Sequence, residues 1–514
     1  MPVFFVLERA NLVRICLQKL DECGVQVTSV TFDSPPVNQS LFKKLGGDLR
    51  ADNLLTEIKI DSKNPINMIL DNVHAIKNVR NAFAHFKVLK DGNGNKIEWR
   101  FIAELYYVQQ KSTFHLANRL TYNHVYFESQ KMKAKLAIQV FSRSTADAID
   151  YCREKLKLRQ FEGSEATTKF LRVFDEAFDI LNVANKFGSW SKAPLKQHNT
   201  GYWVDAMETC ANYIIGLQEL SGRRIVDTGR NIGFVAFLVN FKSVQSIFFH
   251  YVQNGPLHYL LTFKFSQDHL ESFFGCIRAK VGCGNNPTVT QFVAAYKKII
   301  LGASGRHFTR SANIDLQDDT DIVQFFTTKS KCISYIEEKF DLVDEFETFD
   351  SPYDINDMQQ DVVTYIAGYV CRQVKKKNDC NYCCDSLLSD SSEELALISV
   401  KDRGGLIYPS SRMIQACKIA EKFLQVEYNS KSFFSNEKLL TQLTTRVTTC
   451  ILTQYPEINT KFDHTPFHKY TMSKTIVMVY LSIRLKHLAR EKNSEMNQKK
   501  IRKKMSKIIL FSNQ

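Results

Sequence analysis

Two carboxylates three residues apart are the first place to look for chemistry. Asp268 and Glu271 lie in the stretch TFKFSQDHLESFFGCIRAKVGCGNNP, residues 262–287. Leu270, Phe273, Phe274, Ile277 and Val281 recur there at helical spacing, which predicts a helix with one buried face and Ser266 as its N-cap. Residues three apart share a helix face, so the two carboxylates repel each other mildly. A cation would relieve that, as would a phosphate with its metal. So would plain solvation in a first turn, where acidic side chains suit the helix dipole.

Two further aspartates stand where strands should end. Asp33 closes the β-rich run VQVTSVTF (25–32), and Asp71 follows the short run Asn67–Leu70. That edge is where open α/β sheets carry their sites, although aspartate is also an ordinary strand-to-loop residue. No Gly-x4-Gly-Lys-Ser/Thr occurs, which rules out a Walker phosphate loop. Phosphates would then need lysines, and Lys131, Lys133 and Lys135 begin a basic helix. A base would need an aromatic and a carboxylate, and Phe178, Asp179 and Asn182 offer them. The same residues also read as an exposed helix start and plain core. Cys380-x-x-Cys383-Cys384 has the form of a zinc half-site, and His464-x3-His468 offers two imidazoles. The gap between them is unlike that of a zinc finger, which favours reduced cysteines.

The elements that must hold these residues alternate. A short apolar run at Val3–Leu7 reads as a strand, residues 9–23 as a helix stopped by Gly24, and 25–32 as a strand. A helix through Leu41, Phe42 and Leu45 follows, then the strand ending at Leu70 and a helix with His74, Ile76, Val79 and Phe83. Strand–helix alternation predicts an α/β sheet with helices packed on it. Residues 88–255 read as mainly helical after the turn Asp91-Gly-Asn-Gly-Asn95, and strand character returns at Tyr259–Phe265. An acidic stretch, 303–360, reads as a linker. Residues 361–514 form a helical region whose Lys/Arg-rich tail starts at Arg484.

The 514 residues allow several domains, and the net charge of +14 suggests a polyanionic partner. No unbroken apolar run reaches the roughly eighteen residues of a membrane span, so no membrane partner is expected. The 13 cysteines and the absence of a signal peptide at the start predict reduced thiols inside the cell. The basic tail, read as an import signal, predicts the nucleus.

The wording around Glu271 adds a family. Phe265-Ser-Gln-Asp268-His269-Leu270-Glu271-x-Phe273-Phe274-x-x-Ile277-Arg278, with Gly282, Asn285, Asn286, Pro287 and Phe292-x-x-Ala295-Tyr296-Lys297, resembles the P-element-type DNA transposases. Animal THAP-domain transposases typify that family. Phe32-Asp33-x4-Asn38-x-x-Leu41-Phe42-x-x-Leu45-Gly46 looks like its second catalytic block. Asp71-x-x-His74-x-Ile76-Lys77-x-x-Arg80-Asn81 looks like the strand and helix before its large insertion. Asp361-Val-Val-Thr-Tyr365-Ile-Ala-Gly368-Tyr369-Val370-Cys371-Arg372 and Gly404-Gly-Leu-Ile-Tyr-Pro409 are similar to its C-terminal part.

The resemblance implies α/β plus all-α architecture: an RNase H-like domain interrupted by a large helical insertion, followed by a mainly helical C-terminal region. The RNase H-like parts are 1–87 and 256–302, and 88–255 is the GTP-binding insertion. Asp33 and Glu271 become catalytic metal ligands, and Asp268 a magnesium or nucleotide contact. Lys131, Lys133, Lys135, Phe178, Asp179 and Asn182 become GTP contacts. The implied cofactors are Mg2+ and GTP. The implied partners are transposon-end DNA, GTP and further copies of the chain. If the insertion interrupts one α/β domain, Asp33 and Glu271 must come close together. The family's first catalytic aspartate belongs to a strand expected before Val3. The chain is thus expected to be a transposase, or a domesticated binder of nucleic acid, nucleotide or a partner, and not to cut DNA as given.

Overall fold

The computed structural model describes residues 2–58, 65–112, 114–116, 118–281, 286–302, 355–377, 380–389, 395–429, 433, 438–459 and 468–511. His464, Gly282, Asn285 and residues 303–354 of the acidic stretch lie outside them. The chain divides into two compact units, residues 1–108 with 118–316, and 109–117 with 317–514.

The first unit opens on helix α1 (Pro2–Glu22), not on a strand at Val3–Leu7. Nothing between Leu7 and Glu8 breaks the chain, and Val6, Ala10 and Leu17 form one buried stripe at helical spacing. Gly24 ends it with φ +75°, and the Val25 amide returns to the Leu20 carbonyl at 2.9 Å. That is a Schellman stop, which needs a residue content at positive φ.

Strand β1 (Ser29–Phe32) leads through α2 (Pro36–Lys44) and β2 (Glu57–Ile58) to β3 (Ile66–Leu70) and α3 (Asn72–Phe86). The sheet runs β1-β3-β2; β1 and β3 are parallel, with Phe32 beside Leu70. Asp33 and Asp71 therefore leave adjacent parallel strands at the same edge. All five β3 residues are buried, as a strand covered on both faces requires.

A hairpin follows, β4 (Val88–Lys90) with β5 (Lys96–Glu98), its turn held by Asp91, which accepts from the Asn93 and Asn95 amides. The helices α4 (Arg100–Ser112), α5 (Tyr122–Val125), α6 (Ala134–Val140), α7 (Arg143–Glu154), α8 (Glu165–Leu181) and α9 (Thr200–Gly216) come next. Strand β6 (Gln218–Glu219) pairs back to β4, so a small antiparallel sheet sits within the helical stretch. Helix α10 (Ile232–Phe248) packs on β3 and α3. Its Asn240 amide bonds both the N–H and the C=O of Leu70 (2.9 and 2.6 Å), and Ser243 donates to the Met68 carbonyl. These side chains supply bonds that a neighbouring strand would otherwise supply.

The α10 segment bears on the membrane expectation. Ile232–Gln253 is, among the described residues, long and apolar enough to cross a membrane. Its apolar run is interrupted by the polar residues that bond β3, and 72% of its apolar window is buried inside the protein. Packed aromatic rings of Phe83, Phe141, Phe170, Phe174, Phe234 and Phe237 join α3, α8 and α10 into one core. Each such pair adds roughly 0.5–1.5 kcal/mol beyond area burial.

No strand forms at Tyr259–Phe265. Leu260 makes a single bridge to Leu195, and Thr262–Phe265 is a 3-10 turn. The Thr262 hydroxyl explains it: it donates to the Ile180 carbonyl (2.6 Å) and accepts from the Val183 amide (2.9 Å), pinning the segment to the end of α8. Helices α11 (Asp268–Val281) and α12 (Val289–Gly302) close the unit through the edge-on pair Phe273–Tyr296 and the tilted pair Phe274–Phe292. The buried face of α11 is narrower than its periodicity implies: Ile277 is buried, and Leu270 is exposed.

In the second unit α13 (Asp357–Lys375) starts with a capping box between Asn356 and Gln359. It is followed by α14 (Asn381–Ser386), α15 (Ala396–Lys401), α16 (Ser411–Tyr428), α17 (Leu439–Gln454), α18 (Pro456–Asn459) and α19 (His468–Phe511). Gly368 lets the Ile407–Pro409 strand-like segment lie on α13, since a Cβ there would stand 2.4 Å from the Ile407 carbonyl oxygen. Arg484 is not part of a solvated tail: it is 2% exposed and bonds Glu421 (2.9 and 3.0 Å), which also accepts from Tyr480.

Candidate active site and nucleotide site

Asp33 follows β1 and Asp71 follows β3, where it caps α3 by accepting from the Val73 amide at 3.0 Å. The first turns of α3 then place His74 and Lys77 on the Asp71 face, at i+3 and i+6. Across from them comes the start of α11. Thr31 of β1 donates to the Phe265 carbonyl at 2.9 Å, so β1 and the approach to α11 are fastened two residues before Asp33 and three before α11.

His74 is the centre of the result. Its Nδ1 is hydrogen-bonded to Asp33 Oδ1 and lies 3.8 Å from Asp71 Oδ2, while its Nε2 lies 3.9 Å from Glu271 Oε1. A carboxylate only accepts, so Nδ1 carries the proton in the Asp33 bond. Asp33 and Glu271 thus come within the span of one imidazole, as an interrupted domain requires.

The charges around the ring are strained by burial. Asp71 is 1% exposed, and its carboxyl is raised to about 6, first by burial, with Asp268 adding to it. Asp268 is also raised, by burial and then by Glu271. Its neighbour Ser266 does not cap the helix, which starts at Asp268; its hydroxyl donates to the Phe263 carbonyl at 2.8 Å. Burial lowers the Lys77 ammonium, against the pull of Asp71, Glu271 and Asp33. Three carboxylates, Asp71, Glu271 and Asp33, face one buried lysine, with Asp268 beside Asp71 and Glu271. Their oxygens are the donor set that hard cations such as Mg2+ take.

The base-and-phosphate residues fall into two groups. Phe178 is buried in α8, and Asn182 is the residue that ends it. Asp179 pairs with Lys192 at 3.3 Å and sits near Ser191. Burial raises its carboxyl, while Lys192 opposes. Asp175, one turn back, is raised to about 6 by burial and by Asp179. Beside them Trp190 is 77% exposed at φ +54°, and Phe187 is also exposed. Lys131 and Lys133 lie in the exposed turn before α6, which starts at Ala134, and Lys135 is in its first turn. Arg80 donates to the Lys131 carbonyl at 2.8 Å. Among the described residues no hydrogen bond or ion pair joins these lysines to Asp179.

His74, Lys77, Lys192 and Trp190 are the residues that sequence reasoning did not choose. The signal for the first two was present as Asp71, His74 and Lys77 at successive i+3 steps.

Comparison with known proteins matches four stretches of the chain. The family described as "TNP-like, RNase H N-terminal domain" matches residues 6–46, and its C-terminal counterpart matches 263–297. "TNP-like, GTP-binding insertion domain" matches 73–194, and "DNA transposase THAP9, C-terminal domain" matches 354–490. The chain is 25% identical over 512 residues to the DNA transposase THAP9 of Homo sapiens, covering 94% of this chain and 56% of that one. It is 26% identical over 445 residues to the Transposable element P transposase of Drosophila melanogaster, covering 84% and 56%. The chain thus spans 56% of the length of these relatives. Among solved structures, the Drosophila P element transposase strand transfer complex matches with 25% identity and a TM-score of 0.49, over 58% of this chain and 65% of that one.

Proposed function

Since the chain is a P-element/THAP9-type transposase relative, with RNase H-like parts on either side of a GTP-binding insertion, we propose that its acidic cluster is a magnesium site that handles DNA. The observation that carries this reading is the convergence of Asp33 and Glu271 on opposite nitrogens of His74. Asp33 and Glu271 would hold the ion, with Asp268 behind them. Bound there, magnesium supplies positive charge to a reacting phosphate and lowers the pKa of an attacking water or 3′-hydroxyl. The residues of this chain do the positioning: β1 and α11 fix the two carboxylates, and the His74 N–H orients Asp33.

The insertion is proposed to bind GTP, with Asp179 reading the guanine edge and the lysines 131, 133 and 135 near the phosphates. The partners would be DNA ends and further copies of the chain, in the nucleus. Weak, salt-sensitive DNA binding follows from the basic excess.

A chain of these 514 residues is proposed not to cleave DNA by itself. Two-metal chemistry needs carboxylates for both ions. Asp71 is engaged as a buried helix cap, which leaves Asp33, Glu271 and Asp268 to hold both ions. A domesticated, non-catalytic binder is the second reading, favoured by the same engagement. Nicking of supercoiled plasmid in Mg2+ or Mn2+ tests both, with Glu271→Ala beside the parent chain. No nicking is expected. Metal-dependent nicking that vanishes in Glu271→Ala would establish a working active site and overturn the inactive reading.

A further inference from the structure

Cys380 and Cys383 stand at the start of α14, Cys380 as the residue that precedes it. His468 opens α19, far along the chain. One ligand atom of each lies within 4.8 Å of the other two. Cys383 is 0% exposed, and Cys380 and His468 are half-buried. We propose that Cys380, Cys383 and His468 bind one zinc ion that fastens the first turn of α19 to α14.

The donor types choose the metal. Two thiolates and an imidazole are soft and borderline ligands that favour zinc over magnesium or calcium. The oxygen cluster at Asp33 has the opposite preference, so the two sites would not compete for one ion. The geometry is also near to what zinc needs. Tetrahedral Zn–S and Zn–N bonds of about 2.3 and 2.0 Å set ligand atoms roughly 3.5–3.8 Å apart, so a small inward shift closes the set. The Cys-x-x-Cys spacing puts both sulfurs on one side of a helix start, a common first half of zinc sites. A fourth donor, from water or the protein, would complete the tetrahedron.

The other close grouping in this unit, His115, His487 and Glu491, does not make the same case. There Glu491 already bonds His115 at 2.9 Å, and Arg484 and Arg490 face His487. Those two guanidinium groups would repel a metal ion.

Zinc at the first position would matter to the whole unit. Helix α19 packs on α13, α16 and α17 and carries Tyr480, Leu481 and Arg484 into the core. Anchoring its first residue fixes the register of that helix against the others. Binding replaces two S–H bonds by two S–Zn bonds and releases two protons to solvent, with no change of oxidation state.

The test uses the untagged full chain. Zinc content is measured after purification, and the zinc is then exchanged for cobalt. About one zinc per chain is expected, with the visible d–d bands of tetrahedral cobalt and thiolate-to-cobalt charge transfer. His468→Ala should weaken binding at least tenfold and alter the d–d bands. Cys380→Ser/Cys383→Ser should abolish charge transfer, while Cys384→Ser should leave it. A parent chain that holds no zinc and stays colourless with cobalt overturns the proposal without reference to any variant. So does zinc content that is unchanged in the Cys380→Ser/Cys383→Ser/His468→Ala variant.

Discussion

Glu271 Oε1 lies 3.9 Å from His74 Nε2, the ring nitrogen opposite the one bonded to Asp33. One imidazole therefore reports on both halves of a domain whose parts are separated by the insertion. It also stands between the carboxylates proposed to hold magnesium, so metal affinity would measure how far the ring can yield.

Manganese affinity should follow those contacts. Asp33→Asn and Glu271→Gln are each expected to weaken Mn2+ binding at least tenfold, about 1.4 kcal/mol. Titration calorimetry or the loss of free-Mn2+ EPR signal reads it. Parent-like affinity in Asp33→Asn would remove that residue from the site.

The pH dependence has a definite sign. Asp71 and Asp175 are raised from 3.8 to about 6 in the folded chain, so the native state holds protons that the unfolded state has lost. The stability they contribute is complete below 3.8 and is lost as pH rises through about 6. Asp71→Asn keeps a good helix cap and removes that titration. Thermal melts from pH 4 to 7 should show a smaller decline for Asp71→Asn/Asp175→Asn than for the parent.

Nucleotide should be visible through one tryptophan. Of the 3 tryptophans, Trp203 is buried and Trp190 is exposed beside Lys192 and Asp179. GTP with magnesium is expected to quench Trp190 emission more than ATP does, and Trp190→Phe should remove the signal. Asp179→Ala should erode the preference for GTP, because a carboxylate accepts from guanine N1–H and N2–H. Equal quenching by GTP, ATP and UTP would indicate an unselective basic patch.

The second unit offers two stability tests. Glu421→Gln removes the carboxylate charge that bonds the buried Arg484 at 2.9 and 3.0 Å, and a loss of about 3–5 kcal/mol is expected. Gly368→Ala forces a methyl against the Ile407 carbonyl and should cost about 1–3 kcal/mol. Urea unfolding followed by far-UV circular dichroism measures both.

Much of the site was legible because its residues sit in strong local patterns. Asp33 ends a β-rich run, and Glu271 lies on a periodic helix whose wording resembles a known family. His74 escaped because its role depends on two carboxylates brought from either side in three dimensions. The helix at Val3–Leu7 and the 3-10 turn at Thr262–Phe265 were read as strands, since a short apolar run carries no period of its own. In the first, continuity with α1 decided the matter; in the second, the Thr262 hydroxyl did. The approach of His468 to Cys380 and Cys383 could not be read from spacing, because bundle packing, not chain proximity, creates it.

The amide of Asn240 on Leu70 has a consequence for how the chain is born. The two residues are 170 apart, and the Ser243–Met68 contact spans 175. At about 5–20 residues per second, a ribosome needs roughly ten to thirty seconds to make the intervening segment. During that interval β3 is synthesised but its polar groups wait for their partners. The nascent chain would be a natural client for chaperones, and slowing translation before residue 240 should prolong that exposure.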